Sequence, residues 1–75
     1  MDLRFQKEVF LQAAAVVRKS VHDSTWEAFW RTSVLGETAP VVAESLGLKL
    51  GAIYMAKGRV LQRIRTLIAE QENLS

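Results

Sequence analysis

The chain has 75 residues, 49% of them hydrophobic and 24% charged, which is the composition of one small globular domain rather than of a disordered segment. It contains no cysteine, one histidine and four glycines, so disulfide frameworks, thiolate metal sites and glycine-rich phosphate loops are excluded. No apolar run approaches the roughly 20 residues of a membrane-spanning helix, and the N-terminus has the pattern of a helix rather than of a signal peptide. We therefore expect one domain over residues 1–75, located in the cytoplasm, with no cofactor and no membrane contact.

The first predicted element is an amphipathic helix from about Asp2 to Val21. Its apolar residues recur at spacings of three and four, and they are Phe5, Val9, Phe10, Ala13, Ala14, Val16 and Val17. A polar turn with His22 and Asp23 follows. We expect His22 to be a surface residue, because no second metal ligand is in range.

A second helix is predicted from Ser24, because Ser24 and Glu27 have the spacing of a capping box. It ends at Gly36, since glycine is a natural C-terminal stop. The residues that fall on one face of this helix are Trp26, Phe29, Trp30 and Val34.

The aromatic residues of the second helix have two interpretations. Trp26 and Phe29 are expected in the core, where large aromatic side chains are most often found. A domain this small has little material to cover a third ring, so Trp30 is either core or a partly exposed contact for a protein partner.

The third predicted helix is short, from Ala39 to about Leu46, with Thr38 as its cap and Gly47 at its end. Only three residues separate it from a long fourth helix, which runs from Leu50 to about Gln71. A short helix, a tight turn and a longer helix over residues 38–66 predict a helix-turn-helix, and the alternative is an ordinary pair of antiparallel helices. The small core expected to fix their crossing angle consists of Val42, Leu46, Leu48, Ile53 and Val60.

A helical wheel divides the fourth helix into an apolar face and an outward face. The apolar face contains Ile53, Ala56, Val60, Leu61, Ile64, Leu67 and Ile68. The side opposite it contains Gly51, Met55, Gly58, Arg59 and Gln62, with Tyr54 on the shoulder between the two. Each glycine costs roughly 1 kcal/mol against alanine inside a helix. Either the backbone approaches a large surface such as a DNA groove at these positions, or Gly51 is merely near a helix end and Gly58 is packed under a neighbour.

The basic residues are concentrated in one segment. Residues 1–37 hold five basic and five acidic groups, whereas residues 49–65 hold five basic groups and no acidic one. This segment is either a footprint for phosphate or an ordinary solvated helix face. Lys57 lies inside the apolar arc, so its amine either reaches past that arc to solvent or contacts a phosphate.

Residues 25–68 carry a resemblance to a known family. The run TWEAFWRTSVLGETAPVVAESLGLKLGAIYMAKGRVLQRIRTLI resembles region 4 of extracytoplasmic-function sigma factors of the sigma-70 family, and planctomycete-type members in particular. The matching segments are TWEAFW, VAESLG, GAIYMAKGRVL and the basic tail. The resemblance implies an all-α, four-helix domain without a wing, ending in a helix-turn-helix.

The same resemblance implies a function in transcription initiation. It predicts that the domain recognises the −35 promoter element, docks on the β flap of core RNA polymerase and is bound by an anti-sigma protein. The recognition helix corresponds to about Lys49 to Arg63. The predicted DNA-binding residues are Lys49, Gly51, Tyr54, Met55, Lys57, Gly58, Arg59 and Arg63, and the predicted partner-binding residue is Trp30.

The start of the recognition helix departs from the family pattern. Where most members have Lys, Ser and Arg, this chain has Tyr54, Met55 and Ala56. Tyr54 and Met55 are then left to contact thymine methyl groups or sugars, while basic side chains hold phosphates. Roughly four neutralised phosphates would give a log–log salt slope near −3.6, and we expect micromolar or weaker binding by the domain alone.

The sequence leaves two alternatives to promoter recognition. The main alternative is a protein-interaction module of the same fold with little DNA contact, and a more distant one is a response-regulator-type activator that dimerises through its last helix. Catalysis is not expected, because no serine has a neighbouring base. The length leaves no room for a −10-recognition domain, so we expect an excised C-terminal fragment or a degenerate stand-alone product.

Overall fold

The computed structural model describes residues 3–74, and the side chains of residues 7–70. Over this range the fold is all-α, with four α-helices and no strand: α1 (Leu3–Arg18), α2 (Asp23–Phe29), α3 (Ala39–Leu46) and α4 (Leu50–Leu74), with a π-helical segment at Trp30–Val34 between α2 and α3. The all-α prediction is therefore confirmed. Within the same range no helix is both long and apolar enough to cross a bilayer.

Helix α1 ends three residues earlier than predicted. Arg18 is its last residue, and the amides of Lys19 and Ser20 close a tight turn on the carbonyls of Val16 and Val17. Its buried residues are Ala13, Ala14 and Val17. Val16, which was expected on the apolar face, is 55% exposed. Asp2 and the side chain of Phe5 lie outside the described residues.

The capping-box prediction for α2 is wrong. The helix begins at Asp23, because the amide of Trp26 already donates to the carbonyl of His22 at 3.0 Å. Ser24 thus lies inside the first turn rather than at the cap position, which His22 occupies. The start of the helix has no capping hydrogen bond from a side chain. Asp23 places a negative charge in that first turn, where it complements the helix dipole. His22 is exposed, as expected.

The end of the second helical stretch widens into the π-helical segment. The amide of Leu35 donates to the carbonyl of Trp30, five residues earlier, at 3.0 Å, and the Thr32 hydroxyl donates to the carbonyl of Ala28 at 2.6 Å. The wider turn changes which residues share a face. Val34 is therefore 43% exposed instead of aligned with the aromatic residues, and Gly36 follows with φ +75°.

Helix α3, the turn and the start of α4 have the predicted bounds. Thr38 occupies the cap position, although its hydroxyl makes no capping hydrogen bond, and its carbonyl accepts from the amide of Val42 at 3.1 Å. Gly47 ends α3 with φ +67°, a left-handed conformation that glycine adopts without strain. Leu48 is partly buried beside the core below the turn, as expected. Helix α4 continues to Leu74, three residues beyond its predicted end.

The core consists of two clusters that α2 and α4 share. The first joins α1 to α2 and α4 through Ala13, Ala14, Val17, Trp26, Phe29, Val60 and Ile64. The second joins α3 to α2 and α4 through Ala28, Val42, Ala43, Ile53 and Ala56, with Leu46 and Leu48 at its edge. Val60 was expected in the second cluster but belongs to the first, because it lies two turns beyond Ile53 and faces α1 and α2. This packing places the apolar face of α4 inside the domain and its opposite face in solvent.

Candidate nucleic-acid interface

The outward face of α4 begins in the first turns after the Gly47 turn. Tyr54 is 57% exposed and Met55 is 66% exposed. Gly51 and Gly58 are also exposed, and the spacing of seven residues puts them on the same side of the helix. The side chains that anchor this part of α4 are Ile53 and Ala56, which are buried on its other side. Four of the residues that the sequence placed away from the apolar face, Gly51, Tyr54, Met55 and Gly58, are therefore exposed on the first turns of α4, and these four are called the outward face from here on.

The two glycines of the outward face have no packing role inside the domain. A Cβ atom built at Gly51 or at Gly58 meets no atom within 4 Å. The interpretation that Gly58 is packed under a neighbour is therefore wrong. Both residues have helical backbone, since the glycines with positive φ are Gly36 and Gly47. Gly51 is the second residue of α4, which agrees with the interpretation that it is near a helix end, whereas the described residues give no reason for the absence of a side chain at Gly58.

One basic residue is exposed at each end of this surface. Lys49 precedes the first residue of α4, and its carbonyl accepts from the amides of Ala52 at 3.0 Å and Ile53 at 3.3 Å. Arg59 follows Gly58 directly and is exposed. Lys57 is half-buried, so less of its side chain is available to an external ligand than of either neighbour.

Arg63 has a contact within the domain that the sequence did not indicate. Its Nη1 donates to the Ser20 carbonyl at 3.3 Å and to the Ser20 Oγ at 3.1 Å. The guanidinium thus ties α4 to the turn after α1. The structure separates Arg63 from the outward face and directs it to Ser20.

Arg65 was not among the predicted DNA-binding residues, yet it continues the outward face. It is exposed, and it lies seven residues after Gly58, which is the spacing that also separates Gly51 from Gly58. The heptad spacing was the signal that would have found it. Lys49, Arg59 and Arg65 are therefore the exposed basic residues that border the outward face.

Trp30, the first residue of the π-helical segment, lines a groove together with residues of α1 and α2. Its ring stacks on Trp26 with a centroid distance of 5.7 Å and an interplanar angle of 23°. Trp30 is half-buried, whereas Trp26 is 8% exposed and Phe29 is fully buried, as predicted for those two. The groove has a volume of about 540 Å³ and includes the exposed Leu11. Arg18 lies at its edge with its guanidinium carbon 6.0 Å from the Trp26 ring centre, a distance typical of a cation–π contact.

The described part of the chain contains no group of three histidine or acidic side chains that could hold a metal ion. None of the protein-family models, the curated proteins or the solved structures compared with this chain matches it.

Proposed function

We propose that this domain recognises the −35 element of promoters as the C-terminal domain of an alternative RNA polymerase sigma factor. The observation that carries the proposal is the outward face of α4, which is exposed, uncharged at its centre and bordered by Lys49, Arg59 and Arg65. An α-helix of this width fits the major groove of B-DNA. The resemblance of residues 25–68 to sigma region 4 supports the same function.

A positive charge lies at the N-terminal end of α4, where the helix dipole makes a cation unfavourable. Lys49 precedes the helix, and the first turn of α4 contains no acidic residue. A cation at this end is unfavourable to the helix dipole by about 0.3–1 kcal/mol. An external phosphate would reverse that cost, because it pairs with Lys49 and is favoured at the positive end of the helix dipole. This arrangement favours a polyanion over an uncharged partner.

The electrostatic part of the proposal is tested by fluorescence anisotropy with a labelled duplex over a series of salt concentrations. Contacts from Lys49, Arg59 and Arg65 to three phosphates would give a log–log slope of about −2.7. This value is smaller than the slope expected from the sequence, because Arg63 is directed to Ser20 and Lys57 is half-buried, while Arg65 adds one contact. A slope of zero would overturn the proposal.

The promoter part is tested by selecting bound duplexes from a random library, with and without core RNA polymerase. Enrichment of a common sequence in the presence of polymerase is expected. No enrichment in either condition would overturn promoter recognition.

The α1–α2 groove favours the alternative, a protein-interaction module that binds the polymerase β flap or an anti-sigma protein. Its half-buried Trp30 and exposed Leu11 offer apolar surface to a protein. The two functions are separated by Trp30→Ala and Arg59→Ala. In the sigma-type function both surfaces operate, so Trp30→Ala weakens polymerase binding and Arg59→Ala weakens duplex binding. In the alternative, Arg59→Ala has no effect on any partner.

A further inference from the structure

The centre of the outward face has almost no hydrogen-bonding capacity. From Leu50 to Gly58 the exposed positions are Leu50, Gly51, Tyr54, Met55 and Gly58. Among their side chains the Tyr54 hydroxyl is the one strong hydrogen-bonding group, since the Met55 thioether is only a weak acceptor. These exposed positions therefore include no arginine, lysine, asparagine or glutamine that could make the bidentate contacts by which guanine or adenine is recognised. Lys57 in this stretch is half-buried, and Arg59 and Gln62 lie beyond it.

The two glycines allow a surface to come close to the α4 backbone beside Met55. No atom of the residues that the structure describes lies within 4 Å of a Cβ built at either position. The Met55 side chain is 66% exposed, and Met55 lies between Gly51 and Gly58 along the same side of the helix. A flexible thioether flanked by two open positions is suited to cover small apolar groups on an opposing surface.

The major groove of DNA presents one apolar group at its base edges, the C5-methyl of thymine. The charge at the ends of the outward face, from Lys49 and Arg59, matches the phosphates that border such a groove. We propose that Met55 and Tyr54 recognise thymine methyl groups, so that the duplex is selected by apolar contact instead of by hydrogen bonds to guanine. This inference rests on the proposed function and names the class of base that the same site reads.

The test removes and adds the methyl group without changing the pairing of the bases. Two mixed-sequence duplexes of about two helical turns are used, one of A·T pairs with thymine or with uracil, and one of G·C pairs with cytosine or with 5-methylcytosine. Binding of the full chain is measured by anisotropy at low salt. We expect uracil to weaken binding by about fourfold for each methyl group that was covered, and 5-methylcytosine to strengthen it by a similar factor.

Two single substitutions show whether the preference for thymine over uracil depends on Met55. Met55→Ala should lower the ratio of thymine to uracil affinity toward one, with the remainder due to Tyr54, while Val16→Ala is the matched control. Val16 is an apolar residue of α1 with 55% exposure, and its substitution should leave the ratio unchanged. The 5-methylcytosine duplex separates methyl contact from any effect of uracil on the shape of the A·T duplex.

The outcomes distinguish the two proposals. Equal affinity for the thymine and uracil duplexes, with clear binding to both, would overturn the methyl inference and leave DNA binding intact. Absence of binding to every duplex at low salt would overturn the inference together with the proposed function. A self-association that Met55→Ala abolishes, in the absence of duplex binding, would assign the outward face to a second copy of the chain and would also overturn both.

Discussion

Arg31 and Glu37 form a two-point ion pair across the turn that joins the π-helical segment to α3. Nε of Arg31 donates to Oε2 at 2.9 Å, and Nη2 donates to Oε1 at 2.8 Å. The remaining nitrogen, Nη1, donates to the hydroxyl of Ser45 in α3 at 2.9 Å. One guanidinium therefore ties the π-helical segment to α3, the short helix that precedes α4.

This pair predicts a pH dependence. The hydrogen bond from Arg31 lowers the pKa of Glu37 below its usual value, so the stabilisation by the pair is complete above the pKa of the unfolded chain and is lost as the pH falls through the lower, folded-state pKa. Glu37→Gln should therefore lower the thermal midpoint slightly at neutral pH. The difference from the unsubstituted protein should shrink in acid.

The measurement is a series of thermal unfolding curves by circular dichroism from neutral to acidic pH. Glu44→Gln is the control, since Glu44 is an exposed residue of α3. A gap between Glu37→Gln and the unsubstituted protein that stays constant into acid would contradict the prediction.

The glycines of the turn and of α4 should respond oppositely to alanine. Gly47 has φ +67°, so Gly47→Ala should destabilise the domain by about 1–2 kcal/mol. Gly58 lies in a helix with open space at the Cβ position, so Gly58→Ala should stabilise it by about 0.5–1 kcal/mol. Urea unfolding measures both values. Destabilisation by Gly58→Ala would show that this glycine has a structural role after all.

A larger residue at Gly58 should separate stability from binding. Leucine is a good helix former, and nothing in the domain occupies the space it would enter. Gly58→Leu should therefore fold at least as stably as the unsubstituted protein, and it should weaken duplex binding by about tenfold or more, because the side chain holds the duplex away from the backbone. Anisotropy and urea unfolding on one preparation give both numbers. Unchanged duplex affinity would mean that DNA does not approach this face.

Ile53 and Met55 lie two positions apart on α4 but on opposite faces. Ile53 is fully buried against α3, whereas Met55 is 66% exposed. Ile53→Ala should cost about 2–5 kcal/mol of stability, and Met55→Ala should change it by about 0.5 kcal/mol or less. Comparable losses in urea unfolding would contradict the orientation of α4.

Arg59 and Arg63 should differ in their effect on salt dependence. Arg59→Ala should reduce the slope of log affinity against log salt by about 0.9, because one phosphate contact is lost. Arg63→Ala should leave the slope nearly unchanged and lower the thermal midpoint slightly, because it removes the hydrogen bonds to Ser20. Equal changes of slope would place both arginines on the phosphates.

Local features predictable from the sequence were those set by neighbouring residues. The 3.6-residue periodicity predicted the buried side of α4, since Ile53, Ala56, Val60 and Ile64 are the residues that lie inside. Gly47 marked the corner between α3 and α4, because only a residue without Cβ adopts its positive φ easily. The capping-box prediction for α2 was wrong, because the start of a helix is set by its first backbone hydrogen bond. In α2 that bond joins the amide of Trp26 to the carbonyl of His22.

The tertiary structure decided what each exposed residue is free to do. The sequence predicted that Arg59 and Arg63 both bind DNA, yet packing of α1 against α4 brings Arg63 to Ser20 and leaves Arg59 exposed beside Gly58. Similarly, only the three-dimensional arrangement shows that Gly58 faces open space instead of a neighbouring helix. These differences come from contacts between residues far apart in the chain, such as the 43 positions that separate Ser20 from Arg63. The periodicity of a single helix determines which side is buried, and the positions of the other helices determine what lies against the rest.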